Sequence, residues 1–285
     1  MGQLIDGKNF GKVYAESLKE KIQWIKDNRN VNLGLAVVYI GDDKASSVYV
    51  NSIIKKCTSL GVHAERFDFS GDITTQEAID FIEKLNADDK FHGIICQFPL
   101  PKNLDELAVR QTIAPQKDVD SAGSANIGRL YSNLDCFIPC TPKGMHLLLK
   151  SLGEELTGKK AVVLGRSNVV GKPVAQLLLN ENMTVSICHS RTKNLKEYTL
   201  DADVIMAGVG VPHLIKEDMV KEGAIIIDAG INVLEDKLVG DVDYKSMIDK
   251  VKHITPVPGG VGPTTILMLI ENTLEACSRQ CGFEL

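Results

Sequence analysis

The sequence predicts an α/β fold of two α/β domains with a cleft between them, the second being a Rossmann-type dinucleotide-binding domain. Short apolar runs alternate with segments of helical spacing along most of the chain, a pattern typical of parallel sheets covered by helices on both faces. Within residues 160–191, a turn bracketed by glycines joins an apolar run to a helix and a second apolar run. A length of 285 residues is sufficient for two such domains.

The first half of the chain contains three predicted helices and three predicted strands. Helical spacing covers about 10–28, 45–60 and 75–85, and Gly61 suits the position just after a helix end. Strands are predicted at about 33–40, 62–69 and 93–96. Prolines at 99, 101, 115, 139 and 142 then interrupt the alternation.

The domain boundaries follow from the elements after these prolines. Pro142 suits the first turn of a helix through Leu149, which leads the chain into the nucleotide-binding domain. The last predicted helix, at about 264–279, has no strand after it, so we expect it to pack back on the first domain. The predicted domains are therefore 1–140 plus 264–285, which binds substrate, and 141–263, which binds the nucleotide.

Composition narrows the class of protein and its partners. The net charge of −5 argues against nucleic acid as the main partner. No apolar run reaches the length of a membrane span, and the N-terminus lacks a basic region followed by an apolar segment, so we expect a cytoplasmic protein. Seven cysteines, an odd number, favour reduced thiols. The pairs Cys136/Cys140 and Cys277/Cys281 could formally bind zinc, but their context is not that of a zinc knuckle, and no metal is predicted.

The turn after the apolar run 160–165 predicts a nucleotide site. Gly165 and Gly171 allow a sharp turn and close approach to the amides at a helix N-terminus, where the helix dipole favours an anion. The spacing, Gly-x-Ser-x-x-x-Gly with Ser167 in the middle, differs from the usual Gly-x-Gly-x-x-Gly, so this turn alone is a weak signal.

The second apolar run, 184–188, ends in His189-Ser190-Arg191, and this ending indicates which cofactor binds. A carboxylate at this position would accept from a free ribose 2′-hydroxyl, whereas Ser190, Arg191 and Arg166 offer donors suited to a 2′-phosphate. The residues therefore favour NADP over NAD. The alternative is that the two arginines are solvated surface charges. Both, however, follow predicted strands, where the ligands of open α/β sheets bind.

Seven short motifs resemble the bifunctional 5,10-methylenetetrahydrofolate dehydrogenase/5,10-methenyltetrahydrofolate cyclohydrolase family along nearly the whole chain. They are SxxYV at 46–50, GIICQFPLP at 93–101, KDVD at 117–120, PCTPKG at 139–144, GRS at 165–167, CHSRT at 188–192 and TPVPGGVGP at 255–263. The resemblance implies oxidation of methylenetetrahydrofolate by NADP to the methenyl cation, which water then opens to 10-formyltetrahydrofolate. It also implies tetrahydrofolate derivatives as partners, a place in one-carbon metabolism and purine biosynthesis, and a homodimer formed through the nucleotide domain.

The resemblance assigns roles to particular residues. Asp120 would accept hydrogen bonds from the pterin ring, Tyr49 would stack on the substrate, and Gln97 would reach it from a strand end. Asp118 is more typical of a turn residue, and turn capping is also the alternative for Asp120. Tyr49 could instead be a core tyrosine. The remaining residues implied in substrate binding are Leu100, Pro258, Gly259 and Gly260, and those implied in cofactor binding are Gly165, Arg166, Ser167, Gly171, His189, Ser190, Arg191 and Ile231.

The chain departs from the family pattern at two positions. Ser121 replaces the usual glycine after KDVD, which is unstrained only if its φ is negative. Ile53 replaces a lysine, one turn after Tyr49, that aids the cyclohydrolase step in the family. The rival for that role is Lys56, seven residues after Tyr49 and on the same helix face, whereas Lys55 points away.

Three hypotheses follow. We favour an NADP-dependent methylenetetrahydrofolate dehydrogenase whose cyclohydrolase activity is weak or absent. The first alternative is the fully bifunctional enzyme, in which another group replaces the lysine. The second alternative is a non-catalytic protein that binds folate or NADP. Whether Lys143 or His189 helps catalysis is open at this point.

Overall fold

The computed structural model describes residues 2–285, which form two compact units. One unit, here called the nucleotide unit after the ligand that the sequence predicts for it, contains residues 2–12 and Pro139–Thr265. The other, here called the folate unit after the ligand that the family resemblance implies, contains Val13–Ile138 and Ile266–Leu285.

Both units alternate strands and helices, as the sequence predicts. In chain order the elements are β1 (Gln3–Leu4), α1 (Gly7–Arg29), β2 (Gly34–Ile40), α2 (Lys44–Ser59), β3 (His63–Phe69), α3 (Thr75–Ala87), β4 (Gly93–Cys96), α4 (Glu106–Thr112), α5 (Ser124–Tyr131), α6 (Cys140–Lys150), β5 (Lys160–Leu164), α7 (Gly171–Asn180), β6 (Thr184–Cys188), α8 (Leu195–Leu200), β7 (Val204–Ala207), β8 (Ile225–Asp228), β9 (Asn232–Leu234), β10 (Lys237–Val239), α9 (Tyr244–Met247), β11 (His253–Ile254) and α10 (Gly262–Cys281).

The folate unit contains a three-stranded parallel sheet in the order β3-β2-β4. Every residue of the central strand β2 is buried, as expected for a parallel strand covered on both faces. The helix α2 begins where the Asp43 side chain accepts from the Ser46 N–H, and it ends before Gly61, whose φ is +85°. Both ends lie within one residue of the predicted ones.

The nucleotide unit contains a six-stranded sheet in the order β1-β11-β8-β7-β5-β6, with every pair parallel. After β1, the next strand of this sheet along the chain is β5, and the two strands that follow it, β6 and β7, lie on either side of β5. The strand order reverses at this point, which is where doubly wound sheets bind their ligands. The predicted α/β class with a Rossmann-type second domain is therefore confirmed.

The N-terminus lies in a different unit from the one expected. Residues 2–12 belong to the nucleotide unit because β1 pairs with β11 and because Ile5, 5% exposed, packs in the core that contains Val261 and Leu148. The sequence gives little sign of this strand, since two residues are too few to show periodicity. At the other end of the chain, residues from Ile266 onward belong to the folate unit.

Helices of the length and apolarity that a bilayer span requires are absent from residues 2–285.

Candidate functional site

The nucleotide unit contains a cavity of about 550 Å³ at the carboxyl ends of three neighbouring strands. Residues at the end of β5, β6 and β7 supply most of its wall, so it lies where the strand order reverses. None of the described residues that line it is acidic. The lining consists of Leu164, Gly165, Arg166, Ser167, Cys188, His189, Ser190, Thr192, Leu195, Gly208, Val209, Val211 and Leu214.

The turn between β5 and α7 forms one side of this cavity. Gly165 has a φ of +109°, and a β-carbon on Gly171 would overlap the carbonyl oxygen of Gly165. The Ser167 hydroxyl accepts from the N–H groups of Val170 at 3.1 Å and Gly171 at 3.3 Å. The serine therefore caps the start of α7. The expectation that a ligand anion meets the first amides of the helix stays a prediction.

The segment after β6 forms a tight turn on the opposite side of the cavity. The His189 N–H donates to Thr192 Oγ1 at 2.8 Å, and the Thr192 N–H donates back to the His189 carbonyl oxygen at 2.8 Å. The Arg191 N–H donates to His189 Nδ1 at 3.1 Å, so the neutral imidazole carries its proton on Nε2. Ser190 lines the cavity, whereas the exposed Arg191 does not.

Five of the eight residues predicted to bind the cofactor lie in the cavity wall: Gly165, Arg166, Ser167, His189 and Ser190. Gly171 closes the turn behind them, and Ile231 is 70% exposed and outside the wall. The prediction missed the apolar side formed by Val209, Val211 and Leu214. The sequence does contain a signal for this side of the cavity, because Gly208 and Gly210 follow a third apolar strand of the same sheet.

In the folate unit, Gln97 follows β4, and its Nε2 donates to the carbonyl oxygen of Phe98 at 2.8 Å. The helix α4 fixes the residues that come next. Glu106 accepts from the Leu100 N–H at 2.9 Å and from Arg110 at 2.9 Å. The Arg110 guanidinium lies 3.6 Å from the centroid of the Phe98 ring, a cation–π contact. The Gln97–Leu100 segment is therefore held by charged groups of α4.

The segment 117–121, here called the aspartate loop, runs beside β4. Ile94 and Asp118 form a parallel bridge, so Asp120 comes two residues later, at the same sheet edge as Gln97. The Asp118 carboxylate, 2% exposed, accepts from the N–H groups of Ala122 and Gly123, each at 2.9 Å. Burial raises the pKa of Asp118 to about 6. Asp118 is thus the turn residue that the sequence indicates, and Asp120 is half-buried.

Ser121, the first departure from the family pattern, has a φ of +52°. A non-glycine residue in this left-handed region costs about 1 kcal/mol relative to glycine. The Ser121 hydroxyl donates to the carbonyl oxygen of Phe137 at 2.5 Å, a bond that glycine cannot form and that offsets part of this strain.

The last helix, α10, holds the aspartate loop from behind. The Asn272 side chain is fully buried, and its Nδ2 donates to the carbonyl oxygens of Val119 at 2.8 Å and Ile138 at 2.9 Å. Gln280 Nε2 donates to the carbonyl oxygen of Gln116 at 3.0 Å. Nothing in the local sequence of residues 117–121 indicates these contacts.

On α2, the buried face consists of Val50, Ile53 and Cys57, and Ile53 is fully buried. Tyr49 and Lys56 are half-buried at the border of this face, whereas Lys55 is exposed. The position at which the family carries lysine is therefore occupied here by an apolar side chain that offers no accessible surface.

The loop Pro258–Gly260 belongs to the nucleotide unit, although none of its three residues lines the cavity. The Gly259 carbonyl oxygen accepts from the Lys8 N–H at 3.0 Å, and a β-carbon on Gly7 would overlap the carbonyl oxygen of Gly260. This loop therefore lies close to the first turn of α1. The contact of these three residues with the substrate stays a prediction.

None of the seven cysteines, all within residues 2–285, forms a disulfide, and Cys277 and Cys281 lie beside His92. The three potential ligand atoms are within 4.8 Å of one another. However, His92 Nδ1 accepts from the Gly34 N–H at 3.1 Å, which places the proton of the neutral ring on Nε2, the atom that faces Cys281. A metal bound at Nε2 would need that nitrogen unprotonated, so the arrangement does not suit a metal site.

Comparison with known proteins places both units in one family. Residues 5–120 match the catalytic domain of the tetrahydrofolate dehydrogenase/cyclohydrolase family, and residues 139–281 match its NAD(P)-binding domain. The bifunctional protein FolD of Bacillus pumilus is 49% identical over 277 residues, which are 97% of this chain and 98% of that protein.

Solved structures agree with this assignment. The bifunctional FolD of Campylobacter jejuni, a methylenetetrahydrofolate dehydrogenase/cyclohydrolase, is 44% identical with a TM-score of 0.96, over 98% of this chain and 100% of that chain. The Trypanosoma brucei enzyme, whose structure contains NADP and an inhibitor, is 32% identical with a TM-score of 0.94, over 98% of each chain. The chain therefore belongs to the tetrahydrofolate dehydrogenase/cyclohydrolase family.

Proposed function

We propose that the protein oxidises 5,10-methylenetetrahydrofolate to 5,10-methenyltetrahydrofolate with NADP as the hydride acceptor. The observation that carries the choice of cofactor is the cavity wall, in which Arg166, Ser167 and Ser190 offer donors and no described residue offers a carboxylate. This set of donors suits a ribose 2′-phosphate. The related Trypanosoma brucei structure, which contains NADP, also supports this choice.

The folate unit supports the choice of substrate. Asp120 and Gln97 lie at one edge of a parallel sheet, each on a segment fixed by buried or charged partners. A carboxylate and an amide in this arrangement can bind the ring N–H and amino groups of a pterin. Hydride transfer then requires that the two bound rings be correctly oriented, and NADP supplies the chemistry of hydride acceptance.

The direct test is a two-cofactor assay of the wild-type protein. Methylenetetrahydrofolate is incubated with either NADP or NAD, and formation of the methenyl product is followed by its absorbance. We expect turnover with NADP to exceed turnover with NAD by about tenfold or more in kcat/KM, because one charge-assisted bond to phosphate is worth that much. A protein that binds both ligands without turnover would support the non-catalytic alternative instead.

For the second step, we propose that hydrolysis of the methenyl cation is weak or absent. A lysine beside the ligand could position water and manage proton transfer, whereas Ile53 can do neither and is fully buried. Two features favour the bifunctional alternative: relatives at 44–49% identity carry bifunctional names, and Lys56 is half-buried one turn further along α2. The bifunctional alternative would be supported if the wild type hydrolyses the methenyl cation at a rate comparable to its dehydrogenase rate and Lys56→Ala loses this hydrolysis.

We also propose a homodimer formed through the hairpin β9–β10 of the nucleotide unit. Val233, 71% exposed, lies opposite Leu238, 47% exposed, and Ile231 and Leu234 enlarge this apolar patch. The proposed occupant is the same hairpin of a second copy, since antiparallel ribbons can pair symmetrically. Val233→Asp should yield monomers in sedimentation velocity, whereas Val13→Asp, at a site with 69% exposure on α1, should not. Dimers that persist in Val233→Asp, or a monomeric wild type, would reject this interface.

A further inference from the structure

The apolar wall of the nucleotide cavity depends on a carboxylate that lies outside it. The residues 209–211, here called the valine loop, follow β7, and Val209 and Val211 line the cavity. Their backbone N–H groups point to Asp241, which is fully buried. Asp241 comes two residues after the end of β10, 30 residues along the chain from Val211 and 32 from Val209.

The contacts of Asp241 form a complete set of four. Its Oδ2 accepts from the N–H groups of Val209 at 2.6 Å and Gly210 at 3.2 Å. Its Oδ1 accepts from the Val211 N–H at 3.0 Å and from Asn232 Nδ2 at 2.9 Å. All four donors are neutral amides, and a carboxylate bound by several amides is strongly held.

Three successive backbone N–H groups that converge on one point form an anion-binding concavity, of the kind that binds phosphate in other nucleotide sites. In this protein the Asp241 carboxylate, which does not line the nucleotide cavity, occupies this concavity. The valine loop therefore presents side chains to the cavity while its amides are occupied. Phosphate recognition is left to Arg166, Ser167 and Ser190 on the other two strand ends.

Asp241 is itself held in place by backbone pairing. The Ile215 N–H donates to the Asp241 carbonyl oxygen at 3.1 Å, and the Asp243 N–H donates to the Ile215 carbonyl oxygen at 2.9 Å. There is also no space for the carboxylate to move toward Gly230, where even a β-carbon would overlap Asp241. The position of the valine loop is thus determined by a segment that is anchored independently of the cavity.

We propose that Asp241 is a positioning residue for NADP, which sets the apolar wall of the cavity by holding the valine loop through its amides. This inference rests on the proposed function, namely that the cavity binds NADP. A matched control is Asp203, which precedes β7 at the opposite end of the same strand. It accepts from the Lys160 N–H at 2.7 Å and from Lys221 Nζ at 2.6 Å, away from the cavity.

The test measures NADP affinity by calorimetry and thermal stability for both variants. Asp241→Ala should weaken NADP binding by about tenfold or more, whereas Asp203→Ala should lower stability and leave NADP affinity within about twofold of wild type. Sodium formate should restore much of the NADP affinity of Asp241→Ala, because a small carboxylate can occupy the vacated concavity, and should not change Asp203→Ala. Equal weakening by both variants, or a folded Asp241→Ala with wild-type affinity, would overturn the proposal.

A second measurement uses the wild-type protein, so that it applies even if Asp241→Ala does not fold. Hydrogen exchange should show the amides of residues 209–211 protected before NADP is added, because Asp241 already binds them. Rapid exchange of these amides in the unliganded protein would contradict the proposal. If the wild type does not bind NADP, the proposed function is rejected. The exchange rates of these amides are measured without NADP, so they still show whether Asp241 holds the valine loop.

Discussion

The two candidate sites lie at the carboxyl edges of two parallel sheets, but they are built from contacts of different range. In the nucleotide cavity, the turns after β5 and β6 are closed by their own residues: Ser167 caps α7 four residues later, and His189 bonds Thr192 three residues later. The aspartate loop of the folate unit, with Gln116 directly before it, is instead fixed by Asn272 and Gln280, which follow Val119 and Gln116 by 153 and 164 residues. Two turns of the first site thus depend on local turn chemistry and only its valine loop on a more distant residue, whereas the second site depends on the packing of a distant helix.

The largest effects are expected within the aspartate loop itself, where two neighbouring carboxylates should behave differently. Asp120→Ala should reduce kcat/KM for methylenetetrahydrofolate by about 100-fold or more, with little change in NADP affinity, because it removes the proposed charged contact with the substrate. Asp118→Ala should instead destabilise the protein by about 2–4 kcal/mol, because two buried N–H groups lose their acceptor. Denaturant titration and steady-state kinetics on both variants separate these roles. A stable, fully active Asp118→Ala variant would show that the two carboxylates have been assigned in the wrong order.

The next effect concerns the nucleotide cavity. Arg166→Ala should weaken NADP binding by about tenfold to a hundredfold and NAD binding far less, because it removes a charge-assisted bond to the 2′-phosphate. Lys172→Ala is the control, since this lysine lies on the same turn and bonds Asn168 at 2.7 Å. Calorimetric titration with each cofactor measures the difference. Equal losses for NADP and NAD would remove the basis for the choice of cofactor.

A smaller effect is expected from removing the long-range contact that α10 makes with the folate site through Gln280. Gln280→Ala should raise the KM for methylenetetrahydrofolate by about threefold to tenfold, with little change in NADP affinity, because two neutral hydrogen bonds are lost, one to Gln116 directly before the aspartate loop and one to His92 directly before β4. Arg279→Ala on the same helix, which breaks ion pairs with Asp135 and Glu275, should not change this KM. An unchanged KM in Gln280→Ala would mean that the loop does not depend on the end of α10.

This difference in range also explains what could be predicted from the sequence. The glycine turn, the strand ends and the residues 165–167 and 189–190 of the cavity wall were all visible, because strand periodicity and turn residues are local signals. The valine loop was missed although the glycines after β7 are a local signal for it. Asp241, Asn272 and Gln280 give no such signal, because each acts through backbone amides or carbonyls far away in sequence. Strand β1 was missed because it has only two residues.

The departures from the family pattern show the same limit. The sequence identified Ser121 and Ile53 as unusual, but not their consequences. The positive φ of Ser121 and its bond to Phe137 depend on the path of the chain after α5. The complete burial of Ile53 depends on how α2 packs, which the local sequence does not show.

The smallest expected gain is restoration of hydrolysis in Ile53→Lys. A buried lysine is destabilising, so the variant should melt at a lower temperature than wild type. It should nevertheless convert methenyl- to formyltetrahydrofolate about twofold to tenfold faster, because an amine then lies one turn from Tyr49. Ile53→Met, which conserves volume and apolarity, should leave hydrolysis unchanged. A similar gain in both variants would show that altered packing, rather than the amine, is responsible.

The most direct test of the account compares two rates of the wild-type protein under one set of conditions. The first is NADP-dependent formation of methenyltetrahydrofolate from the methylene substrate, and the second is the enzyme-dependent loss of added methenyltetrahydrofolate, corrected for its spontaneous hydrolysis. We predict a clear first rate and a second rate at least about tenfold lower, because the groups proposed to orient the two rings are present and Ile53 stands where the family carries lysine. Comparable rates would contradict the account and would identify a fully bifunctional enzyme in which another group replaces the lysine.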